Sequence, residues 1–202
     1  MRKVIVSEFV TLDGVTEDPG GAERFEHGGW SIRLGSEEQE RFKSDELAAA
    51  DALLLGRKTY EGFAAAWPSM VEGYDGPGRA ELQRYTDMMN GYPKHVASRT
   101  LQEPLEWNNS TLIEGDVAEE VSRLKEQPGK DILVFGSSRL ARTLMGHDLI
   151  DEYRLMVFPI VLGKGKRLFA DVGETRALRL VDTKPVGPDG VLVLTYRPAG
   201  EE

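Results

Sequence analysis

LLLGRKTYEGF, residues 53–63, gives the clearest indication of the fold. Its three leucines extend a short apolar run from Ala52, which predicts a buried strand, and Gly56 separates that strand from a segment typical of a helix. A glycine at such a junction lets a ligand approach the backbone, and the N–H groups that open the helix can bind an anion. Arg57 and Lys58 add local positive charge. The alternative is a plain strand-to-helix turn with solvated basic residues.

The same pattern recurs in ILVFGSSRL, residues 132–140, where a strand is followed by Gly136 and two serines that open a helix. Two such junctions in one sheet can hold the two ends of a dinucleotide. Neither is the G-x-G-x-x-G fingerprint, and the nearest approach to it, which starts at Gly163, has Leu168 in the sixth position. That stretch also lacks the Ser or Thr of a phosphate-binding P-loop.

A third segment, HVASRTL at residues 95–101, ends a short strand in Ser98, Arg99 and Thr100. Hydroxyl groups beside a guanidinium suit a phosphate monoester, because arginine offers forked donors and Ser or Thr adds a compact one. The alternative is ordinary loop composition, which predicts no ligand.

Strands and helices alternate over the first two-thirds of the chain, which predicts parallel βαβ units. Val, Ile and Leu mark strands at residues 3–10, 52–55, 95–98, 110–113, 132–135, 153–161 and 191–197. The clearest helices are predicted at 36–50, with a capping box at Ser36, at 118–126 after Asp116, and at 138–145. Residues 73–78 read as a flexible excursion. The last two strands lack a helix between them, and Pro188-Asp189-Gly190 predicts a turn, so the sheet should be mixed.

Composition bounds the remaining possibilities. A chain of 202 residues without a linker predicts one domain over residues 1–202. The formal charge of −9 opposes an extended grip on nucleic acid, so any phosphate site must be local. No apolar run approaches the roughly 18 residues of a membrane helix, and the N-terminus reads as a strand rather than a signal peptide. We therefore expect a cytoplasmic protein that binds neither nucleic acid nor membrane.

Several kinds of chemistry are disfavoured. The chain has no cysteine, so thiol nucleophiles and zinc–thiolate sites are absent. His27, His95 and His147 lie far apart in sequence, and no metal site is expected. His147 is expected to end a helix. Ser-His-Asp chemistry would need a nucleophile elbow, which the sequence lacks, so a hydrolase is not favoured.

Together these segments resemble the dihydrofolate-reductase-like family related to the C-terminal reductase domain of riboflavin-biosynthesis deaminase-reductases. The resemblance spans about residues 1–170 and rests on five stretches in the family order. They are SEFVTLDGV, ALLLGRKTYEGFAAAWP, MNGYPKHVASRTL, DILVFGSSRLARTL and DEYRLMVFPIVLGKGKRLF. The resemblance implies an α/β fold of the dihydrofolate-reductase-like, three-layer type. The sheet would be mixed but mostly parallel, flanked by helices, with an antiparallel C-terminal strand pair.

The resemblance also implies NADPH as cofactor, lying across the ends of the strands. The adenosine 2′-phosphate would lie near Arg57 and Ser98-Arg99. The pyrophosphate would lie near Gly56 to Thr59 and the Gly136-Ser137-Ser138 turn. The positions carried over are Gly56, Arg57, Lys58, Thr59, Ser98, Arg99, Thr100, Gly136, Ser137 and Ser138.

For the substrate, the resemblance implies Thr11, Asp13 and Gly14 in the TLDG segment, with residues 159–165, beginning at Pro159, closing over the same site. Asp13 is the catalytic candidate, because its carboxylate can accept hydrogen bonds from a pterin-like or pyrimidine-like ring. The alternative is a turn-forming Asp-Gly pair. Dihydrofolate reductases also carry a carboxylate on the helix that precedes the GR-x-T segment, which here begins at Gly56. This chain offers Glu37, Glu40, Asp45 and Glu46 there, and none stands out.

The resulting hypothesis is an NADPH-dependent reductase of the riboflavin-precursor type, similar to 5-amino-6-(5-phosphoribosylamino)uracil reductase. A chain without cysteine cannot hold the zinc ligands of the accompanying deaminase. The alternatives are a true dihydrofolate reductase and a non-catalytic nucleotide-binding or ligand-sequestering protein. A homodimer is expected, because the family implies one and the apolar strand at 153–161 would otherwise risk being an exposed edge.

Overall fold

A mixed sheet of eight strands lies at the centre of this computed structural model, which describes residues 1–170 and 173–200. The strands are β1 (Val4–Thr11), β2 (Ala50–Gly56), β3 (Lys94–Ala97), β4 (Ser110–Leu112), β5 (Asp131–Phe135), β6 (Glu152–Phe158), β7 (Leu178–Pro185) and β8 (Leu192–Pro198). Across the sheet they lie in the order β4-β3-β2-β5-β1-β6-β8-β7. The first six strands pair in parallel, and β8 pairs antiparallel with both β6 and β7.

Five α-helices connect the parallel strands: α1 (Glu37–Ala48), α2 (Arg57–Ala66), α3 (Arg79–Gly91), α4 (Val117–Glu126) and α5 (Ser138–Gly146). Short 3-10 helices occur at Ile32–Leu34 and Trp67–Ser69. As predicted, α1 is capped by Ser36 and α5 ends at His147, its C-cap. No helix in the described parts of the chain is long and apolar enough to cross a bilayer.

The helices cover both faces of the sheet because successive residues of a strand point to opposite sides. On one face, Val6 of β1 shares a core with Leu124 of α4 and Leu144 of α5. On the other face, Ile5 of β1 shares a core with Leu47 of α1 and with side chains of α2 and α3. This arrangement confirms the predicted three-layer α/β class with its mixed, mostly parallel sheet.

The C-terminal hairpin also follows the prediction. Its turn closes with a hydrogen bond of 3.0 Å from the Val186 N–H to the Val191 carbonyl oxygen, and Gly190 takes a φ of 77°. That φ lies in the left-handed region, which glycine adopts at little cost. The Pro188-Asp189-Gly190 signal therefore marked a real reversal between antiparallel strands.

Two elements were missed from the sequence. The helix α3 begins directly after Gly78, where the predicted flexible excursion ends, and no helix was predicted there. The strand β7 was not predicted, because its side chains are exposed along almost its whole length and so show no apolar alternation.

The apolar run at 153–161 was predicted too long, since the strand β6 ends at Phe158. It lies between β1 and β8 in the interior of the sheet, and the sheet edges are β4 and β7. The edge argument for a homodimer is therefore wrong, and the dimer stays a prediction from the family alone.

Candidate active site

The two glycine junctions lie side by side at the carboxyl edge of the parallel strands. The register pairs Leu54 of β2 with Val134 of β5, which brings Gly56 and Gly136 to the same level. On its other side, Gly56 pairs with Ala97, the last residue of β3. Three neighbouring strands therefore end together. Each of the three segments that were singled out in the sequence contains the end of one of these strands.

The helices that begin at these glycine junctions lack capping side chains. Gly56 is the N-cap of α2 and offers no side chain, and Ser137, the N-cap of α5, makes no capping bond. In contrast, Ser36 and Asp116 cap α1 and α4 through their side-chain oxygens. The first N–H groups of α2 and α5 are thus open to a ligand, and helix starts of this kind bind anions.

A hydroxyl pair joins the two junctions. The Ser137 hydroxyl accepts a hydrogen bond of 2.9 Å from the Gly56 N–H and lies 3.0 Å from the Thr59 hydroxyl, which also accepts from the Ser137 N–H at 3.1 Å. Gly136 has a φ of 52°, and a Cβ there would come within 3.0 Å of the Thr59 Oγ1. Glycine is therefore needed at 136 for both its backbone conformation and its space.

Basic side chains follow the first junction. Arg57 and Lys58 are both exposed at the start of α2. The Arg57 guanidinium lies 3.1 Å from the Glu61 carboxylate, one turn along the same helix. Exposed pairs of this kind contribute little to stability, so Arg57 can turn to another anion at small cost.

The loop after β3 is held in a turn by Ser98. Its hydroxyl oxygen accepts hydrogen bonds from the N–H groups of Thr100 at 3.1 Å and Leu101 at 3.0 Å. Arg99 and Thr100 are exposed on this turn. Because β3 is the neighbour of β2, the turn lies next to the start of α2, and the structure brings these two predicted cofactor segments together.

The TLDG segment lies at the end of β1 and is tied to the stretch after β6. The Asp13 carboxylate accepts hydrogen bonds from the Thr11 hydroxyl at 2.7 Å and from the N–H groups of Leu162 at 3.2 Å and Gly163 at 2.9 Å. The Arg167 side chain donates to the Asp13 carbonyl oxygen at 2.8 Å. Two residues of the 159–165 stretch thus bind Asp13, and the closure of this stretch over the substrate site stays a prediction.

Asp13 is firmly ionised. The hydrogen bond from Thr11, followed by those from the N–H groups of Gly163 and Leu162, lowers its pKa to about 2. Such a carboxylate can accept hydrogen bonds at neutral pH but has no proton to give. Gly14 has a φ of 82°, as a turn requires, and Pro159 is exposed directly after β6. A substrate role for Asp13 stays a prediction beside its role in the turn.

One contact links the TLDG side to the glycine junctions. The hydroxyls of Thr16 and Ser138 lie 2.8 Å apart, and Thr16 is buried although it lies on the loop after β1. Ser138 opens α5. The loop that follows TLDG therefore shares a hydrogen bond with the predicted cofactor segment.

Of the four candidate carboxylates on α1, only Glu46 is buried, with its side chain 1% exposed. Its Oε2 atom accepts hydrogen bonds from the Ser7 hydroxyl at 2.8 Å and from the Lys43 ammonium at 2.5 Å. Its Oε1 atom lies 3.4 Å from the Arg154 guanidinium of β6. Glu37, Glu40 and Asp45 are exposed. The carboxylate that faces the sheet is thus Glu46, and two cations pair with it.

A second buried carboxyl group lies on β1. Burial raises the pKa of Glu8 to about 8, against a smaller opposing effect of Lys43, so this residue is mostly protonated at neutral pH. Its Oε1 atom has no hydrogen-bond partner among the described residues. Because Ser7 pairs with Phe135, Glu8 is level with Gly136.

Sequence reasoning missed Lys43, Ser7 and Glu8. The spacing of Lys43 and Glu46 fits an ion pair between positions i and i+3 of a helix, but such pairs are common on solvated faces and carried no signal. Ser7 and Glu8 were visible only as interruptions of an apolar strand.

Known proteins are similar to this chain over nearly its whole length. The profile of the RibD C-terminal domain matches residues 2–192. The uncharacterized protein YyaP of Bacillus subtilis is 33% identical over 196 residues, which cover 96% of this chain and 94% of that protein.

Solved structures share the fold. A putative riboflavin biosynthesis protein from Shewanella sp. PV-4 superposes with a TM-score of 0.63 at 20% identity, covering 98% of this chain and 99% of that one. Dihydrofolate reductase from Enterococcus faecalis, complexed with NADP(H), gives a TM-score of 0.56 at 15% identity, covering 97% and 96%. At these identities the likeness shows the fold alone.

Proposed function

The chain belongs to the RibD C-terminal domain family, and from this membership we propose that it is an NADPH-dependent reductase acting on a pterin-like or pyrimidine-like substrate. The observation that carries the proposal is the pair of uncapped helix starts, at Gly56 and Ser137, joined at the carboxyl edge of the parallel strands. Ligands of open α/β sheets bind at this edge. The two helix starts suit the two phosphates of a dinucleotide.

The residues present fit the cofactor. Open N–H groups at the two helix starts suit the pyrophosphate, and the glycine at 136 lets the Thr59 side chain pack against the second junction. Arg57 and Lys58, with the turn held by Ser98, supply cations and hydroxyls for a further phosphate. The positions proposed to hold NADPH are Gly56, Arg57, Lys58, Thr59, Ser98, Arg99, Thr100, Gly136, Ser137 and Ser138. When bound, the nicotinamide supplies the hydride, and the protein supplies orientation and electrostatics.

The substrate is proposed to lie beside the end of β1, against Thr11, Asp13, Gly14 and Pro159. Asp13 would act there as an ionised acceptor that orients the ring through ring N–H groups. Its bonds to Leu162 and Gly163 tie residues 159–165 to the TLDG segment. The catalytic contribution of Asp13 is therefore positioning, because a group with a pKa of about 2 cannot donate a proton at neutral pH.

Within the reductases, we propose the riboflavin-precursor type, similar to 5-amino-6-(5-phosphoribosylamino)uracil reductase. Glu46 favours this reading over a true dihydrofolate reductase. It is paired by Lys43 and Arg154 and is therefore not a free carboxylate on the helix before β2.

The test is to titrate the protein with NADPH and then follow loss of NADPH absorbance with a panel of substrates. The panel should include 5-amino-6-(5-phosphoribosylamino)uracil and dihydrofolate. We expect NADPH binding and faster turnover of the uracil compound. Tight NADPH binding without turnover of any compound would favour the non-catalytic alternative, and failure to bind NADPH would refute the proposal.

A further inference from the structure

A buried polar cluster lies on the α1 side of the sheet, beside the candidate cofactor junctions. The Lys43 ammonium donates hydrogen bonds to the Ser7 hydroxyl at 2.6 Å and to the Glu46 carboxylate at 2.5 Å. It also lies 4.1 Å from the ring centroid of Phe135 and 5.8 Å from that of Phe9. The cation is thus held on aromatic faces, an arrangement that favours a positive charge.

The cluster lies at the level of the site. Ser7 pairs with Phe135, the last residue of β5, and the next residue is Gly136 of the second junction. Lys43 therefore reaches the carboxyl end of β5 and the middle of β1 from α1, which packs on this face of the sheet. Its side chain is 15% exposed, whereas that of Glu46 is 1% exposed. The ammonium is the part of this pair that a ligand can reach.

Glu46 is paired with a second cation besides Lys43. Arg154 pairs with the other oxygen of Glu46 at 3.4 Å, and it also binds Glu152, which Arg197 contacts in turn. The connected cluster contains three cations, Lys43, Arg154 and Arg197, against the two carboxylates. One positive charge is in excess. Arg197 is 46% exposed, so the excess charge is solvated there, whereas the Lys43 side chain is only 15% exposed.

The ammonium also has donor capacity left. A lysine ammonium carries three N–H donors, and Ser7 and Glu46 accept two of them among the described residues. The third is available to an acceptor that enters beside the rings of Phe9 and Phe135. A flat heterocycle would find aromatic contact and a charged donor at the same place.

Resting on the proposed function, we propose that Lys43 is a substrate-binding residue that selects the class of ring. Its ammonium donates a hydrogen bond to a carbonyl or imide oxygen of an oxo-pyrimidine ring. Ser7 and Glu46 hold the ammonium in place. A ring rich in amino groups, which offers donors and a basic nitrogen, is disfavoured because it would face a cation.

The test compares two rings of equal size: barbiturate, which is anionic at neutral pH, and 2,4-diaminopyrimidine, which is basic. Each is titrated into the protein by ligand-observed NMR, with and without saturating NADPH. We expect barbiturate to bind about tenfold more tightly, the ratio typical of one charge-assisted hydrogen bond. Lys43→Met should remove this preference while the Kd for NADPH stays within about twofold, as expected for a residue outside the phosphate sites.

The matched control is Lys184→Met. Lys184 is exposed on β7, and its ammonium also lies over an aromatic ring, 5.7 Å from the centroid of Phe42, outside the cluster. The Lys184→Met substitution should leave the titrations with both rings unchanged. If Lys43→Met does not fold, Lys43→Met combined with Glu46→Gln removes both members of the pair and must show the same loss of preference.

The outcomes separate the two proposals. Equal affinity for the two rings, no binding of either, or a preference that survives loss of Lys43 would overturn the role of Lys43 even if NADPH binds. A preference for barbiturate that depends on Lys43 in a protein that does not bind NADPH would support the ring site and refute the reductase.

Discussion

Replacing Arg99 by alanine should weaken NADPH binding and leave NADH binding almost unchanged. Arg99 lies on the turn after β3, which the register places next to the start of α2. A guanidinium there can form charge-assisted hydrogen bonds to the 2′-phosphate, which NADH lacks. The turn should survive the substitution, because the Ser98 hydroxyl holds it and Arg99 contributes only its side chain.

The magnitude follows from exposure. Hydrogen bonds to charged groups contribute roughly 1.5 to 3 kcal/mol, and exposed pairs fall at or below the lower end. Arg99 is exposed, so we expect a loss of about 1.4 kcal/mol, which is about tenfold in Kd. Arg57→Ala should cost less, because that guanidinium already lies 3.1 Å from Glu61 and must leave it.

The assay is titration of both cofactors at a fixed, low salt concentration, since salt screens contacts of this kind. Arg179→Ala is the control, because Arg179 is exposed on β7 at the opposite edge of the sheet. Raising the salt concentration should reduce the difference between Arg99→Ala and the natural protein. Equal weakening for NADPH and NADH would refute the reasoning, since Arg99 would then support the loop or the pyrophosphate.

Other substitutions address other parts of the site. Asp13→Asn keeps the shape but removes the charge, so turnover should fall about tenfold or more with little change in Tm. Glu8→Gln should abolish a pH effect on stability. The folded protein keeps a proton on Glu8 up to about pH 8, whereas the unfolded chain releases it near 4.5. The free energy of unfolding should therefore fall as the pH rises through this window, with a slope of up to about 1.4 kcal/mol per pH unit. Gly136→Ala should destabilise the protein by about 1 to 3 kcal/mol and weaken NADPH binding, because alanine is strained at a φ of 52°. Light scattering should give twice the chain mass of 22.4 kDa, as a homodimer requires.

Each of these expectations has a contrary outcome. Unfolding of Asp13→Asn with normal activity per folded molecule would assign Asp13 to the turn alone. If the stability of Glu8→Gln declines from pH 4.5 to 8 as much as that of the natural protein, another group causes the decline. Unchanged Tm and NADPH affinity in Gly136→Ala would show that the junction has spare room, and a monomeric mass at tens of micromolar would contradict the dimer.

The sequence predicted the elements whose side chains are buried. The strands around Val6 and Leu54 were recognised because their apolar runs are continuous, as in strands covered on both faces. The helix α3 and the strand β7 were missed because exposed elements keep few apolar positions. Pattern reasoning detects burial, and it detects a largely exposed element only where another signal marks it, as the capping serine marks α1.

The sequence predicted only the part of the site that lies at the ends of the parallel strands. Gly56, Ser98 and Gly136 were brought together by the rule that parallel strands end at one edge. The contacts of Glu46 with Ser7, 39 residues away, and with Arg154, 108 residues away, depend on how α1 packs on the sheet. No local pattern encodes that packing, which is why four carboxylates on α1 looked equivalent in the sequence.

The hydroxyl pair of Thr59 and Ser137 has a consequence for how such a protein can diverge. Because each junction is held by the other, a change at one of these positions calls for a compensating change at its partner, and the two should covary among relatives. The turn at Ser98 is held by hydrogen bonds within its own loop. In the proposed cofactor site, selection or design could therefore retune the choice between NADPH and NADH at that turn while leaving the paired junctions untouched.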